Sequence, residues 1–134
     1  MELAERKRRV AQAVRTLAGG GILTLMVGHV SWRDAETGQI AILGHAHKEH
    51  RTLDATTENE IILMDGEGIR TEGRYEPAGE KYIHTEVYRA RPDVMAVVHG
   101  HPEYCMACSL SERPFRPVYY RAAQFFPEVP VLDY

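Results

Sequence analysis

Residues 80–104 read EKYIHTEVYRARPDVMAVVHGHPEY, and the order of patterns in this stretch decides the fold. From Glu80 to Arg91, Ile83, Val87 and Ala90 recur along one side, a helical spacing. Arg91-Pro92 stops it, because the residue before a proline is pushed out of the helical region. Val94 to His99 (VMAVVH) follows as a short apolar run of the kind that forms a buried strand. Pro102 then stands where the first turn of another helix is expected, reaching to about Leu110.

The two histidines at the end of the apolar run carry the chemistry. Side chains at i and i+2 of a strand share a face, so a strand continuing past Val98 presents His99 and His101 together. The carboxyl end of a strand is where α/β sheets place ligand sites. Two neutral imidazoles suit a borderline divalent ion such as zinc, and a catalytic centre adds a third protein ligand and an open position. Gly100 between them allows close backbone approach. The plainer alternative is a strand-to-helix loop whose histidines only satisfy backbone groups. Glu80 is the candidate carboxylate; in an ordinary helix an acid at that position does no more than complement the positive end of the dipole.

Outward from this stretch, Leu3, Val10, Val14 and Leu17 space out an amphipathic helix over residues 2–18, closed by Gly19-Gly20-Gly21. Ile22 to Met26 is a short apolar run read as extended. His29 to Arg33 and Gln39 to Leu43 flank the turn 34–38 and read as a hairpin. Residues 44–57 are polar, histidine-rich and irregular. Glu60 to Met64 and Ile69 to Thr71 form a second hairpin around Asp65-Gly66. Residues 73–79 read as a loop, and Val129 to Leu132 as a further strand. The expectation is one α/β domain over 1–134, a largely antiparallel sheet covered by helices.

The 134 residues can bury a core without disulfides; 44% are apolar and 26% charged, with a net charge of −3. The basic cluster Arg6-Lys7-Arg8-Arg9 lies in a helical pattern beside Glu2 and Glu5 and reads as a solvated face rather than a nucleic-acid surface. No segment approaches the ~20 apolar residues of a membrane span. Cys105 and Cys108 are the only cysteines; in a helix-like stretch they read as two reduced core thiols, and the compartment expected is the cytoplasm. Of seven histidines, His29 stands alone after Gly28, His45, His47 and His50 lie in GHAHKEH, His99 and His101 form the pair, and His84 sits in the helix.

GHVSWRD at 28–34, then Glu80-x-x-x-His84, then TEVYRARPDVMAVVHGHPEY, resembles the class II aldolase/adducin family, and the likeness runs from the first helix to PVLDY at the end. The resemblance implies a three-layer α/β/α fold and a cyclic homotetramer with active sites at subunit interfaces. It implies that His99 and His101 hold a divalent ion (zinc first, with Mn, Mg, Co or Fe as alternatives) and that Glu80 is the catalytic acid/base, able to ligate the ion. A tyrosine delivered from a neighbouring subunit falls at Tyr120, with Tyr119 as its competitor. The partner implied is a small carboxylated molecule, not nucleic acid or membrane.

Two departures sharpen this. Where sugar-phosphate aldolases of the family carry phosphate-binding hydroxyls and an asparagine, the chain has Met26-Val27-Gly28-His29, Leu43-Gly44-His45-Ala46, and Ala78-Gly79 before Glu80. A phosphate wants several converging donors. His29, His45 and His47, with Ser31 and Arg33 (or Arg121), suit a carboxylate or phenol instead. GHVSWRD and GHAH are similar to members that decarboxylate aromatic acids, the dihydroxyphthalate decarboxylase type. The reading is thus a metal-dependent carbon–carbon lyase, with an aldolase or epimerase, or a non-catalytic adducin-like domain, as alternatives. Second, the family's third metal histidine falls beyond Tyr134, so the domain is expected to be C-terminally incomplete; otherwise Glu80, His84, His99 and His101 form the set.

Overall fold

The computed structural model describes residues 2–24, 27–45, 52–111, 116 and 119–125. The chain divides into two compact units, Met1–His101 and Pro102–Tyr134.

In the first unit, helix α1 (Leu3–Gly19) follows the predicted spacing: Val10, Ala11 and Val14 are buried, and Gly20 ends the helix with its N–H on the Thr16 carbonyl. Strands β1 (His29–Arg33), β2 (Ile40–His45), β3 (Ile61–Met64), β4 (Arg70–Glu72) and β5 (Glu76–Pro77) come next, then helix α2 (Lys81–Ala90) and strand β6 (Ala96–His99). The sheet order is β4-β3-β2-β1-β6, with β5 paired to β2 off this path, and each pairing is antiparallel.

Side-chain alternation divides the core in two. Val30, Ala41, Ile61 and Leu63 point to one face and pack with Val10, Ala11 and Val14 of α1. Ile40, Ile42, Ile62 and Met64 point to the other and pack with Tyr88 of α2. Sheet between helices gives the three-layer α/β/α arrangement expected. A strand covered on both faces cannot alternate in polarity, which is why β3 reads IILM without a polar residue and is buried throughout. Each such fully buried aliphatic side chain stabilises the fold by about 1.5–3 kcal/mol.

Both hairpins form where expected. Three local expectations are corrected. Ile22 to Met26 is not a strand in its described part: only an isolated Thr24–Val27 bridge forms. Residues 73–79 contain β5, held by pairing to Gly44 and His45. The β6 strand is not buried but half exposed, with Val98 48% accessible. It ends the strand order, and only its Val97 side packs against the α2 layer.

In the second unit, α3 (Glu103–Ser109) starts after Pro102 as expected, and a 3-10 segment runs over Tyr120–Phe125. Cys105 and Cys108 are free, but exposed rather than in a core: three residues apart on a helix they share a side, and that side faces solvent. Tyr119 and Tyr120 are exposed and meet edge-on, 4.7 Å between ring centres. The strand expected at 129–132 lies outside the described residues. Among the described residues no helix is long and apolar enough to cross a membrane.

Candidate metal-binding active site

The site grows from one register. In the β1–β6 pairing, His29 stands directly opposite His99, so both imidazoles leave the sheet on the same face, the one that α2 covers. Their rings stack with centres 5.0 Å apart. His101 follows two residues later, and although β6 ends at His99, the two Nε2 atoms come within 3.0 Å. Close backbone approach makes this possible. Gly28 has φ +103°, and a Cβ there would lie 2.7 Å from the His99 carbonyl oxygen; a Cβ on Gly100 would lie 2.7 Å from that of Ile22.

Glu80 stands immediately before α2 as its N-cap residue, with a half-exposed side chain. One carboxylate oxygen lies 3.2 Å from His29 Nε2 and the other 3.9 Å from His99 Nε2. The ligand atoms of His29, Glu80 and His99 all fall within 4.8 Å of one another.

Glu80, His84 and Tyr88 are four residues apart, one stripe of α2; His29, Ser31 and Arg33 are two apart, one stripe of β1. Four helical residues rise about 6.0 Å and two strand residues about 6.6 Å, so the stripes run alongside each other nearly in step. Glu80 meets His29; His84 meets His29 and Ser31, both at 2.6 Å; Tyr88 meets Ser31 at 2.6 Å. Arg33 completes the row, its guanidinium 4.8 Å over the Tyr88 ring.

The residues present fit a divalent ion. Ring nitrogens 3.0 Å apart cannot both carry hydrogens between them, whereas an ion bound at about 2.0–2.1 Å in tetrahedral geometry holds its ligand atoms about 3.3 Å apart. Imidazole nitrogens with a carboxylate form a donor set for zinc and its neighbours. Glu80 and His99, with His29 or with His101 beside His99, could hold it.

The protonation states agree with this. Burial lowers the pKa of His99, against the opposing pull of Glu80, and burial lowers that of His29. The His29 ring hydrogen bond, against some desolvation, holds the Glu80 carboxyl below the usual carboxylate range. Burial brings His84 down to about 3. Metal-binding imidazoles must be neutral and carboxylates ionised, and the shifts of His99 and Glu80 run in those directions. The His84 shift also predicts acid sensitivity. Its unfolded-state pKa is near 6.5, so below that pH the unfolded chain binds a proton that the folded one refuses. The stabilising contribution is present in full above about pH 6.5 and is lost as pH falls toward about 3, at about 1.4 kcal/mol per pH unit. Urea unfolding at pH 7, 6 and 5 should show this slope, and His84→Gln should flatten it.

Several expected site residues sit elsewhere than expected. Ser31 is fully buried with its hydroxyl engaged by His84 and Tyr88, beneath the site. Arg33 donates to the carbonyls of Tyr88, Arg91, Pro92 and Val94, clamping the α2–β6 connection. His84 is no metal ligand: both its ring nitrogens are bonded within the core. His45 ends β2, half-buried and near enough to influence His29. His47 and His50 lie outside the described residues. Tyr120 belongs to the second unit. The supporting roles of His84 and Tyr88 were missed, although their spacing from Glu80 was there to read.

A three-layer α/β unit with a His/His/Glu cluster at its strand ends is a metal-site scaffold. The chain belongs to the class II aldolase family: the family profile of the Class II Aldolase and Adducin N-terminal domain matches residues 8–134, and class II aldolases are metal-dependent. The chain is 33% identical over 117 residues to 3,4-dihydroxyphthalate decarboxylase of Arthrobacter keyseri, covering 84% of this chain and 46% of that protein. It is 40% identical over 67 residues to L-fuculose phosphate aldolase of Escherichia coli, covering 50% of this chain and 31% of that one. The solved structure of L-fuculose 1-phosphate aldolase from Glaciozyma antarctica superposes with a TM-score of 0.79 at 26% identity, over 92% of this chain and 50% of that one. The chain thus spans less than half the length of those curated relatives.

Proposed function

We infer that the chain forms the metal-binding part of a divalent-metal-dependent carbon–carbon lyase that decarboxylates a hydroxylated aromatic acid of the dihydroxyphthalate kind. The observation that carries the reading is the cluster of His29, Glu80 and His99, with His101 Nε2 3.0 Å from that of His99, His29 standing where phosphate-binding members carry an amide. The extent of the likeness to 3,4-dihydroxyphthalate decarboxylase supports it.

When bound, a divalent ion supplies Lewis-acid chemistry, drawing electron density from a polarised substrate group. The chain's residues supply binding and proton control. His29 and His45 offer ring N–H groups to a carboxylate or phenol oxygen without the cluster of donors a phosphate needs. Glu80, resting as a carboxylate, is placed to take the proton of a substrate hydroxyl and deliver it to the carbon that bears the carboxylate. As that carbon–carbon bond breaks, its electron pair stays with the ring and carbon dioxide leaves, so one proton is consumed per turnover. Tyr120, exposed in the second unit, is the proton donor offered to a neighbouring subunit in a homotetramer, the assembly this reading carries with it.

The expected result is release of carbon dioxide from 3,4-dihydroxyphthalate by the zinc-loaded protein, abolished by a chelator and restored by metal. The likeness to L-fuculose phosphate aldolase favours aldol cleavage as a second reading. Retro-aldol turnover of a sugar phosphate without any release of carbon dioxide would replace the first reading by the second.

A further inference from the structure

Beneath Glu80 lies a row of polar side chains of which the reaction above uses only His29. Tyr88, Ser31, His84 and His29 are between 0% and 4% exposed, and they connect in series to Glu80 at the surface. The Tyr88 hydroxyl is 2.6 Å from Ser31 Oγ, and Ser31 Oγ is 2.6 Å from His84 Nδ1. His84 Nε2 is 2.6 Å from His29 Nδ1, and His29 Nε2 is 3.2 Å from Glu80 Oε2.

The hydrogens in this row can be placed by counting from either end. At the deep end, the Tyr88 hydroxyl has one side-chain partner among the described residues, Ser31. A buried hydroxyl left without an acceptor costs about 1–3 kcal/mol, so Tyr88 donates to Ser31. Ser31 then donates its single hydrogen to His84 Nδ1, which therefore carries none. A neutral imidazole keeps its hydrogen on the other nitrogen, so His84 Nε2 donates to His29 Nδ1. His29 in turn keeps its hydrogen on Nε2, aimed at Glu80. At the shallow end an ionised carboxylate only accepts, which demands the same hydrogen on the same atom. The two counts meet with no group left over. The reverse order would leave the Tyr88 hydrogen without an acceptor in the interior and set a ring lone pair against a carboxylate.

We propose that Tyr88, Ser31 and His84 form a tautomer lock that makes His29 a fixed Nε2–H donor at the base of the site, and not a metal ligand, although its ring lies within reach of Glu80 and His99. His84 is then a positioning residue that acts through His29. When Glu80 turns to metal or to a proton, the locked N–H is free for an anionic oxygen, which fits a carboxylate or phenolate. The proposal rests on the lyase reading only in naming that substrate oxygen.

The test uses this chain with isotope-labelled histidine. Two-bond proton–nitrogen spectra distinguish the tautomers, with the His29 signals assigned by their loss in His29→Gln. His29 should carry its hydrogen on Nε2 both without metal and with saturating zinc chloride. Ser31→Ala and Tyr88→Phe, mild changes that each remove one hydroxyl, should mix the tautomers in the zinc-loaded protein, where Glu80 is turned to the metal and no longer fixes the shallow end. His84→Gln should preserve the state, because its amide can accept from Ser31 while donating to His29. Zinc bound per chain should stay within about two-fold of wild type in every variant including His29→Gln, while kcat for carbon dioxide release falls about ten-fold in Ser31→Ala, as for supporting partners elsewhere. Hydrogen on Nδ1, a switch of wild-type tautomer on adding zinc, loss of zinc in His29→Gln, or an unmoved tautomer in both zinc-loaded hydroxyl variants would each overturn the lock. Absence of carbon dioxide release from wild type would sink the reaction assignment alone, since the tautomer and zinc measurements still decide the lock.

Discussion

His99→Ala is expected to strip the protein of its divalent ion. Wild type loaded with zinc and passed through a desalting column should retain about one ion per chain, and the variant's affinity should drop by at least about 100-fold, the upper end of what losing a mere supporting partner costs. His99 is the hinge of the cluster: its Nε2 faces His101 at 3.0 Å and Glu80 at 3.9 Å, while its backbone is paired opposite His29. Removing its ring leaves His101 and Glu80 without the group that lies between them, and lyase activity should vanish with the ion. Elemental analysis reads the result directly. A double Cys105→Ser, Cys108→Ser variant serves as control, because those exposed thiols are another pair with an appetite for zinc. Zinc held by His99→Ala but lost from the cysteine variant would move the metal site out of the sheet altogether.

Gly28→Ala is expected to be a severely damaging small change in the first unit. Gly28 holds φ +103°, where a side chain is strained, and an added Cβ would lie 2.7 Å from the His99 carbonyl oxygen and 2.8 Å from Leu23 Cδ2. Neither neighbour can retreat cheaply: one is backbone of β6, the other a buried core residue. A loss of about 2–4 kcal/mol follows from strain and overpacking together, measured as a fall in the urea midpoint at unchanged slope. Zinc affinity should fall too, since the clash parts the strands that place His29 and His99. Gly38→Ala is the informative comparison. Gly38 also has positive φ, at 72°, but an added Cβ there meets nothing within 4 Å, so only the backbone strain of about 1–2 kcal/mol remains and zinc binding is untouched. Equal losses at the two glycines would refute the close-approach argument.

Much of this arrangement was legible before any coordinates. Local signals carried the elements: the glycines after Leu17, the Asp65-Gly66 turn, Arg91-Pro92, and the helical spacing of Ile83 and Val87. Motif order pointed to Glu80 and His99, which the fold brings together with His29, because such residues are few, chemically specific and near in sequence. What escaped was whatever depends on register between distant segments. Ser31 and Arg33 looked like ligand contacts because nothing in HVSWR reveals which side will be roofed by α2. His84 looked available to a metal because helical spacing gives a residue's face but not what is packed against it. The half-exposed β6 was read as buried because an apolar run says nothing about how many neighbours a strand has.

The alongside course of α2 and β1 has a consequence of its own. Two rulers are laid side by side, one graduated at about 6.0 Å and the other at about 6.6 Å. Over two divisions they drift apart by about 1.2 Å, within the reach of a side chain, and over many more they would fall out of phase. The vernier thus sets how far from the surface a helix and a strand can hand on a continuous row of side-chain contacts. In this protein the row closes at its third pair of marks, on Tyr88 and Arg33.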